Sequence, residues 1–145
     1  MNEDLKSGFK FLSQYIKNLS FDNPIVPQKL PHMIGKPEIN VGVNVNGITI
    51  DKESNIFEVE INTKVEATND EEVSFLAELT YASVVQLNKI DEENKSFVIL
   101  VEIPRMLFPF VRRIIADTIR DGGFPPLYIE PIDFLKLYEN NIRKN

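Results

Sequence analysis

Residues 39–81 have the sequence INVGVNVNGITIDKESNIFEVEINTKVEATNDEEVSFLAELTY, in which apolar side chains recur at every second position along most of the stretch. This alternation is typical of β-strands that place one face on a core and the other in water. The polar segments DKESN and NDEE interrupt it twice. The stretch therefore predicts three strands joined by short turns, an antiparallel meander within an α+β domain.

The alternation also assigns the side chains of the three strands to two faces. On the polar face, Glu58, Glu60 and Glu66 are predicted to be solvated carboxylates. An acidic docking surface is the alternative, because Leu76 is predicted to lie beside Glu78 on this same face. The apolar face is predicted to carry Ile39, Val41, Val43, Val45, Phe57, Val59, Ile61, Val65, Val73, Phe75, Ala77, Leu79 and Tyr81.

The flanking segments complete the predicted secondary structure. The segment YIKNLSF at 15–21 is expected to form an initial strand, and the proline-rich residues 24–37 an irregular crossing to the meander. Helical spacing from Val111 to Ile119 predicts a helix that has Pro109 in its first turn and stops at Gly122 and Gly123. Pro131 is expected to open a last helix over 131–142, and residues 91–103 are ambiguous, compatible with a short helix.

Composition limits the classes of protein that the chain can belong to. Its 145 residues, 43% hydrophobic and 26% charged, predict one folded domain over 1–145 with short flexible termini. The net charge of −6 argues against a nucleic-acid partner. The chain has no cysteine, no apolar run that could span or insert into a membrane, and no secretory signal, so a cytoplasmic location is expected.

Catalytic and cofactor motifs are not found in the sequence. His32 is the only histidine and has no partner at metal-ligand spacing, so neither a metal nor a cofactor nor an enzymatic reaction is predicted. Aromatic residues, in contrast, are concentrated near the carboxyl end. Core packing is one explanation; burial in an oligomer or in a groove for a partner is the other. The residues concerned are Phe108, Phe110, Phe124, Tyr128, Phe134 and Tyr138.

One long segment resembles a known family. The sequence ILVEIPRMLFPFVRRIIADTIRDGGFPPLYIEPIDFLKLY at 99–138 is similar to the corresponding block of the SecB chaperones. The segments YIKNLSFDNP, PEINVGVNV and FLAELTYASV support the resemblance in the same order along the chain. SecB chaperones bind unfolded secretory preproteins without ATP and deliver them to the motor SecA.

The resemblance implies a fold, an assembly and three sets of residues. The expected structure is a four-stranded antiparallel sheet with helices packed on one face, assembled as a homotetramer, a dimer of dimers whose long helices lie between the sheets. The basic tail of SecA would bind the outer face of the sheet at Asp22, Leu76 and Glu78. The preprotein groove would contain Ile39, Val41, Val43, Phe124, Phe134, Leu137 and Tyr138. The oligomer interface would contain Ala77, Leu79, Tyr81, Val111 and Ile115.

Two residues and the carboxyl-terminal tail differ from the pattern of many SecB chaperones. Asn18 stands where some members have an acid, Gly35 stands where some members have a tryptophan, and the short basic tail ENNIRKN stands where relatives often have a longer polar or acidic one.

Two other functions compete with export. An antitoxin-associated SecB-like chaperone, which protects one dedicated partner, would use the same surface, although Asp22, Leu76 and Glu78 favour the export role. A small-ligand carrier or enzyme on this sheet would require a closed cavity or a catalytic set.

Overall fold

The computed structural model describes residues 8–24, 37–70 and 72–144. It contains one antiparallel sheet with the strands β1 (Gly8–Asp22), β2 (Glu38–Asp51), β3 (Ile56–Asn69) and β4 (Glu72–Asn88) in the order β1-β4-β3-β2. The predicted α+β fold with a four-stranded antiparallel sheet is confirmed. His32, Gly35 and most of the proline-rich crossing lie outside the described residues.

The alternation of β3 is confirmed, and one β-bulge changes it in β4. On β3, Val59, Ile61 and Val65 are fully buried. On β4, Phe75 pairs with Ala67, whereas Val73 pairs with Thr68, so Ser74 is an extra residue between the two pairs. Because side chains alternate with a period of two, this insertion exchanges the faces. Ser74 is buried and Val73 is exposed, so the predicted inward position of Val73 is wrong.

The long helix starts earlier than predicted. Helix α1 (Glu92–Phe97), a π-helical segment (Val98–Glu102) and helix α2 (Ile103–Asp121) follow one another without a break, so the ambiguous residues 91–103 are largely helical. Pro109 lies inside α2, not in its first turn. A proline here removes one backbone hydrogen bond. The buried side chains of Val98, Val101 and Leu107 extend the apolar face upstream, and their packing holds the helix together across that position.

Particular residues mark both ends of the segment that connects α2 to the last helix. Gly123 has φ 95°, a left-handed conformation that ends α2 as predicted. Residues 125–133 have no regular secondary structure, and α3 spans Phe134–Lys144, so Pro131 does not open it. Asp133 marks the start of α3 because its Oδ1 accepts a hydrogen bond from the backbone N of Lys136 at 3.0 Å.

The helices cover one face of the sheet diagonally. Near β2, a Cβ on Gly47 would lie 2.6 Å from Cγ2 of Ile99, so glycine allows the close approach of the π-helical segment. At the other end, the ring of Phe21 on β1 occupies the position of a Cβ on Gly122. Between these contacts, α2 packs against β3 and β4.

This packing places the predicted oligomer-interface residues inside the single chain. All five side chains are buried by the contact between the sheet and α2: Ala77, Leu79, Tyr81, Val111 and Ile115. A side chain that its own chain already covers has no surface to offer a second copy. We therefore assign these residues to the core of the subunit, which corrects the expectation that they form the interface.

Candidate docking face and apolar surfaces

The outer face of the sheet brings the three predicted SecA-binding residues together. On β1 and β4, Asp22 and Leu76 are direct cross-strand partners, and Glu78 follows two positions later on the same face of β4. On β3, Glu66 is the partner of Leu76. The helices pack on the other face, so this end of the sheet presents a half-exposed leucine framed by carboxylates. We call these four residues the acidic end.

One lysine moderates the charge of the acidic end. Lys64 is the cross-strand partner of Glu78, and its Nζ lies 4.0 Å from Oε1 of that glutamate. Both side chains are substantially exposed. An ion pair at this distance in water contributes little stability and is easily exchanged for another partner. The carboxylate of Glu78 therefore stays available to a basic ligand.

A second polar cluster on the outer face was not predicted. The hydroxyl of Tyr15 donates a hydrogen bond to Oε2 of Glu58, and Nζ of Lys17 contacts Oε1 of both Glu58 and Glu60. We call these four residues the lysine clamp. Alternation gives only the outward direction of the two glutamates. Lys17 is the extra residue of a β-bulge between Ile16 and Asn18, and no sequence signal marks that bulge.

The contacts of the lysine clamp shift three pKa values. The Tyr15 hydrogen bond is the main cause that lowers the pKa of Glu58 below its ordinary 4.5, with Lys17 contributing further. Burial and the bond to Glu58 raise the pKa of Tyr15 to about 12. Hydrogen bonds to Glu60 and Glu58 raise the pKa of Lys17. At neutral pH the tyrosine is therefore a neutral donor, and the lysine a cation held between carboxylates.

The residues predicted to form the preprotein groove are only partly accessible. On β2, Ile39, Val41 and Val43 all lie on the helix-covered side of the sheet, with Val41 exposed and the other two half-buried. Leu137 is also half-buried. Phe134 is 1% exposed and packs edge to face on Phe108 with ring centroids 5.7 Å apart. Its predicted place in the groove is therefore wrong, because the core already covers this ring.

The two remaining aromatic groove residues lie far apart. The ring of Phe124 packs on Phe75 at 4.9 Å between centroids, beside the Ile39 end of β2. The ring of Tyr138 contacts Phe97 at 6.0 Å, close to where the π-helical segment crosses Gly47. Both rings are half-buried. They mark opposite ends of β2, so an apolar segment that touched both would have to be extended along this strand.

A further apolar surface lies where β1 meets α2. Ile16 is the cross-strand partner of Tyr81, and the ring of Phe110 stacks on Tyr81 with centroids 6.2 Å apart. We call the exposed residues around this contact the β1–α2 surface. Sequence alternation missed it because two bulges, at Leu12 and Lys17, shift the faces of β1. The exposed members are Ile16, Leu19, Met106 and Phe110.

The described part of the chain offers neither a metal site nor a membrane-spanning helix. Within residues 8–24, 37–70 and 72–144, acidic side chains do not form a group of three or more that could hold a metal ion. Among the described helices, none is both long enough and apolar enough to cross a bilayer.

Comparison with known proteins identifies the family. The sequence model of the family described as preprotein translocase subunit SecB matches residues 2–145. The chain belongs to the SecB family. It is 46% identical over 129 residues to a protein-export protein SecB of Parvibaculum lavamentivorans, covering 89% of this chain and 76% of the relative. It is 43% identical over 134 residues to one from a Bradyrhizobium species, covering 92% and 81%.

A solved structure agrees with the fold. A SecB-like chaperone of Mycobacterium tuberculosis, in complex with a peptide from an antitoxin, superposes with a TM-score of 0.71 at 14% identity. The match covers 86% of this chain and 90% of the other. Together with the family match, this assigns the chain as a SecB-family protein-export chaperone.

Proposed function

We propose that this SecB-family chaperone holds unfolded preproteins in the cytoplasm without ATP and delivers them to SecA. The observation that carries the proposal is the separation of two surfaces by one sheet. The acidic end lies on the outer face, whereas the predicted groove residues of β2, among them the exposed Val41, lie on the face that the helices cover. A protein that binds a client and its receiving motor at once requires two sites that do not overlap.

The acidic end fits a basic partner that also carries an apolar side chain. Asp22, Glu66 and Glu78 supply negative charge, and Leu76 supplies a contact that excludes water between them. Interfaces of this type combine an apolar centre with a charged rim, and complementary charge mainly speeds association and fixes orientation. The resemblance of the sequence to SecB chaperones supports the basic tail of SecA as that partner.

The client site in this proposal is narrower than the sequence suggested. Among the predicted groove residues, only Val41 is exposed. The half-buried candidates are Ile39, Val43, Phe124, Leu137 and Tyr138. Apolar segments of an unfolded client would be stabilised by burial at roughly 25 cal/mol per Å². Because each contact is small, tight holding requires a client to touch several sites at once, which favours more than one subunit.

Assembly as a homotetramer is part of the proposal. The β1–α2 surface leaves four large apolar side chains in water beside β1, which is an edge strand of the sheet. Exposed apolar surface next to an unpaired edge is typical of a buried contact with another chain. This surface, rather than the core residues of β4 and α2, is the one that a second subunit would cover.

Parallel titrations with two ligands test the function. A zinc-loaded SecA tail peptide and an unfolded preprotein are each titrated into the purified protein without nucleotide. Both should bind, and saturating one should leave the affinity for the other unchanged within about two-fold. Competition between the two ligands, or failure of the tail peptide to bind, would overturn the proposal.

The similarity to the mycobacterial structure provides a second candidate. That SecB-like chaperone holds an antitoxin peptide, so the same fold can serve one dedicated partner. An antitoxin-specific chaperone would bind one sequence tightly and unrelated unfolded preproteins weakly. Measuring the affinities for three unrelated preproteins decides between the candidates, because a general export chaperone should bind all three within about ten-fold of one another.

A further inference from the structure

The carboxylates of β3 lie in two groups along the outer face, and the two groups differ in how readily a basic ligand can reach them. Along β3, the outward residues are Glu66, Lys64, Asn62, Glu60 and Glu58 in steps of two. The first lies at the acidic end, and the last two belong to the lysine clamp. With a rise of about 3.3 Å per residue, the eight steps from Glu66 to Glu58 span roughly 26 Å.

The lysine clamp uses the hydrogen-bonding capacity of its carboxylates internally. Oε1 of Glu58 is 3.0 Å from Nζ of Lys17, and its Oε2 accepts from Tyr15. Glu60 contacts the same ammonium. The side chains of Glu58 and Glu60 are 14% and 15% exposed, compared with 41% for Glu78. A ligand would have to displace Lys17 before it could pair with these glutamates.

An uncharged row separates the clamp from the acidic end. Asn18, Thr80 and Asn62 are aligned across β1, β4 and β3, and Nδ2 of Asn62 donates to Oγ1 of Thr80 at 2.8 Å. A basic peptide that leaves the acidic end along the sheet therefore passes Lys64 beside Glu78 and then crosses neutral side chains. It then meets the ammonium of Lys17, which repels it.

From this arrangement we infer that Lys17 is a specificity-determining residue that closes one end of the docking face. By holding Glu58 and Glu60, it confines a basic partner to the acidic end and selects a short basic segment over a long basic tract. The inference rests on the proposed function and adds to it the length and position of the partner segment.

The test uses Lys17→Met, which keeps the length of the side chain and removes its charge. The probe is a twelve-residue peptide with lysines at alternate positions; extended, it spans about 40 Å and can reach both ends of the face. Its affinity is measured by calorimetry and its footprint by photo-crosslinking. Lys10→Met is the matched control, because it makes the same change in net charge on the same face of β1.

For the wild type, crosslinks should be restricted to the strands around Asp22, Glu66 and Leu76. Lys17→Met should bind about three- to ten-fold more tightly at low salt, with new crosslinks near Glu58 and Glu60 and a steeper loss of affinity with salt. Lys17→Arg, which keeps the cation, should restore the short footprint. Lys10→Met should raise the affinity less and leave the footprint unchanged.

The outcomes separate the inference from the proposed function. If Glu78→Lys weakens binding but Lys17→Met behaves like Lys10→Met, Lys17 does not limit the face and the inference alone is wrong. If the wild type does not bind the peptide, or Glu78→Lys has no effect, the docking function and the inference both fail. If Lys17→Met lowers the melting temperature, Lys17→Gln is measured instead. New crosslinks near Glu58 and Glu60 in that variant would support the inference, and their absence would overturn it.

Discussion

At the scale of single residues, the carboxylates of the outer face differ because their neighbours differ. Glu58 is held by a tyrosine and a lysine, whereas Glu78 has one distant lysine and remains open to water. The first arrangement stabilises the charged form within the fold, and the second leaves the charge free to act on a partner. Two substitutions test this difference.

Glu78→Lys should weaken the binding of the SecA tail peptide at least ten-fold at low salt, because it reverses a charge at the acidic end and adds repulsion from Lys64. The free energy of unfolding should change by only about 0.5 kcal/mol, since the side chain is on the surface. Calorimetry and urea denaturation check the two quantities. Equal affinities for the wild type and the variant would remove the docking role of this face.

Glu58→Gln should make stability less sensitive to acid. The pKa of Glu58 is lowered in the folded chain from its ordinary 4.5, so its contribution to stability is present above about pH 5 and is lost as the pH falls through the folded value. In that pH range the wild type takes up a proton at Glu58 when it unfolds, and the variant cannot. The slope of the unfolding free energy against pH should therefore show an uptake smaller by up to about one proton in the variant.

At the scale of elements, the sequence correctly predicts the alternation of side chains along a strand but does not predict the β-bulges that interrupt it. The alternation of β3 correctly gives its buried side chains, and Gly123 correctly ends α2. The bulges at Ser74 and Lys17 are not predictable, because any residue can be the extra one and the exchange of faces depends on cross-strand register. Pro109 misplaced the helix start, since tertiary packing outweighs a local preference.

The candidate site was predicted in part, for the same reason. Alternation predicts that Leu76 and Glu78 face outward together, and this is correct because no bulge lies between them. Phe134 was misassigned because its place depends on the irregular segment 125–133, which brings it back onto Phe108. A sequence pattern cannot show which aromatic ring such a segment buries.

Gly122→Ala tests how closely α2 approaches β1. A Cβ at this position would overlap the ring of Phe21, which stacks on Phe75. Overpacking should therefore lower the free energy of unfolding by about 1–3 kcal/mol, measured in urea. Gly42→Ala is the control: nothing lies within 4 Å of its Cβ position, so its unfolding free energy should stay within about 0.5 kcal/mol of the wild type. Equal unfolding free energies for both variants would contradict the close packing.

At the scale of the whole molecule, the proposed function gives the two sides of the sheet separate roles. The helices cover the interior of one side and leave apolar side chains exposed at its edges, along β1 and β2. The other side carries charge. In the proposed assembly, self-association uses the β1 edge, client binding uses the β2 edge, and SecA uses the outer face, so no partner has to leave before another binds.

Ile16→Arg tests the assignment of the β1 edge. Ile16 is 46% exposed beside Phe110, and a second subunit on the β1–α2 surface would bury it. An arginine there would place an unpaired charge in an apolar contact, which costs several kcal/mol across the interfaces of one tetramer. Light scattering at micromolar concentration should show that the variant dissociates to smaller species.

Ile48→Arg is the matched control, because Ile48 is 44% exposed but lies on the outer face of β2. This control variant should remain tetrameric. Because the substituted side chain is exposed in the single chain, circular dichroism should show the same fold for both variants. An Ile16→Arg tetramer as stable as that of the control would exclude the β1–α2 surface from the assembly, and a monomeric wild type would exclude the tetramer itself.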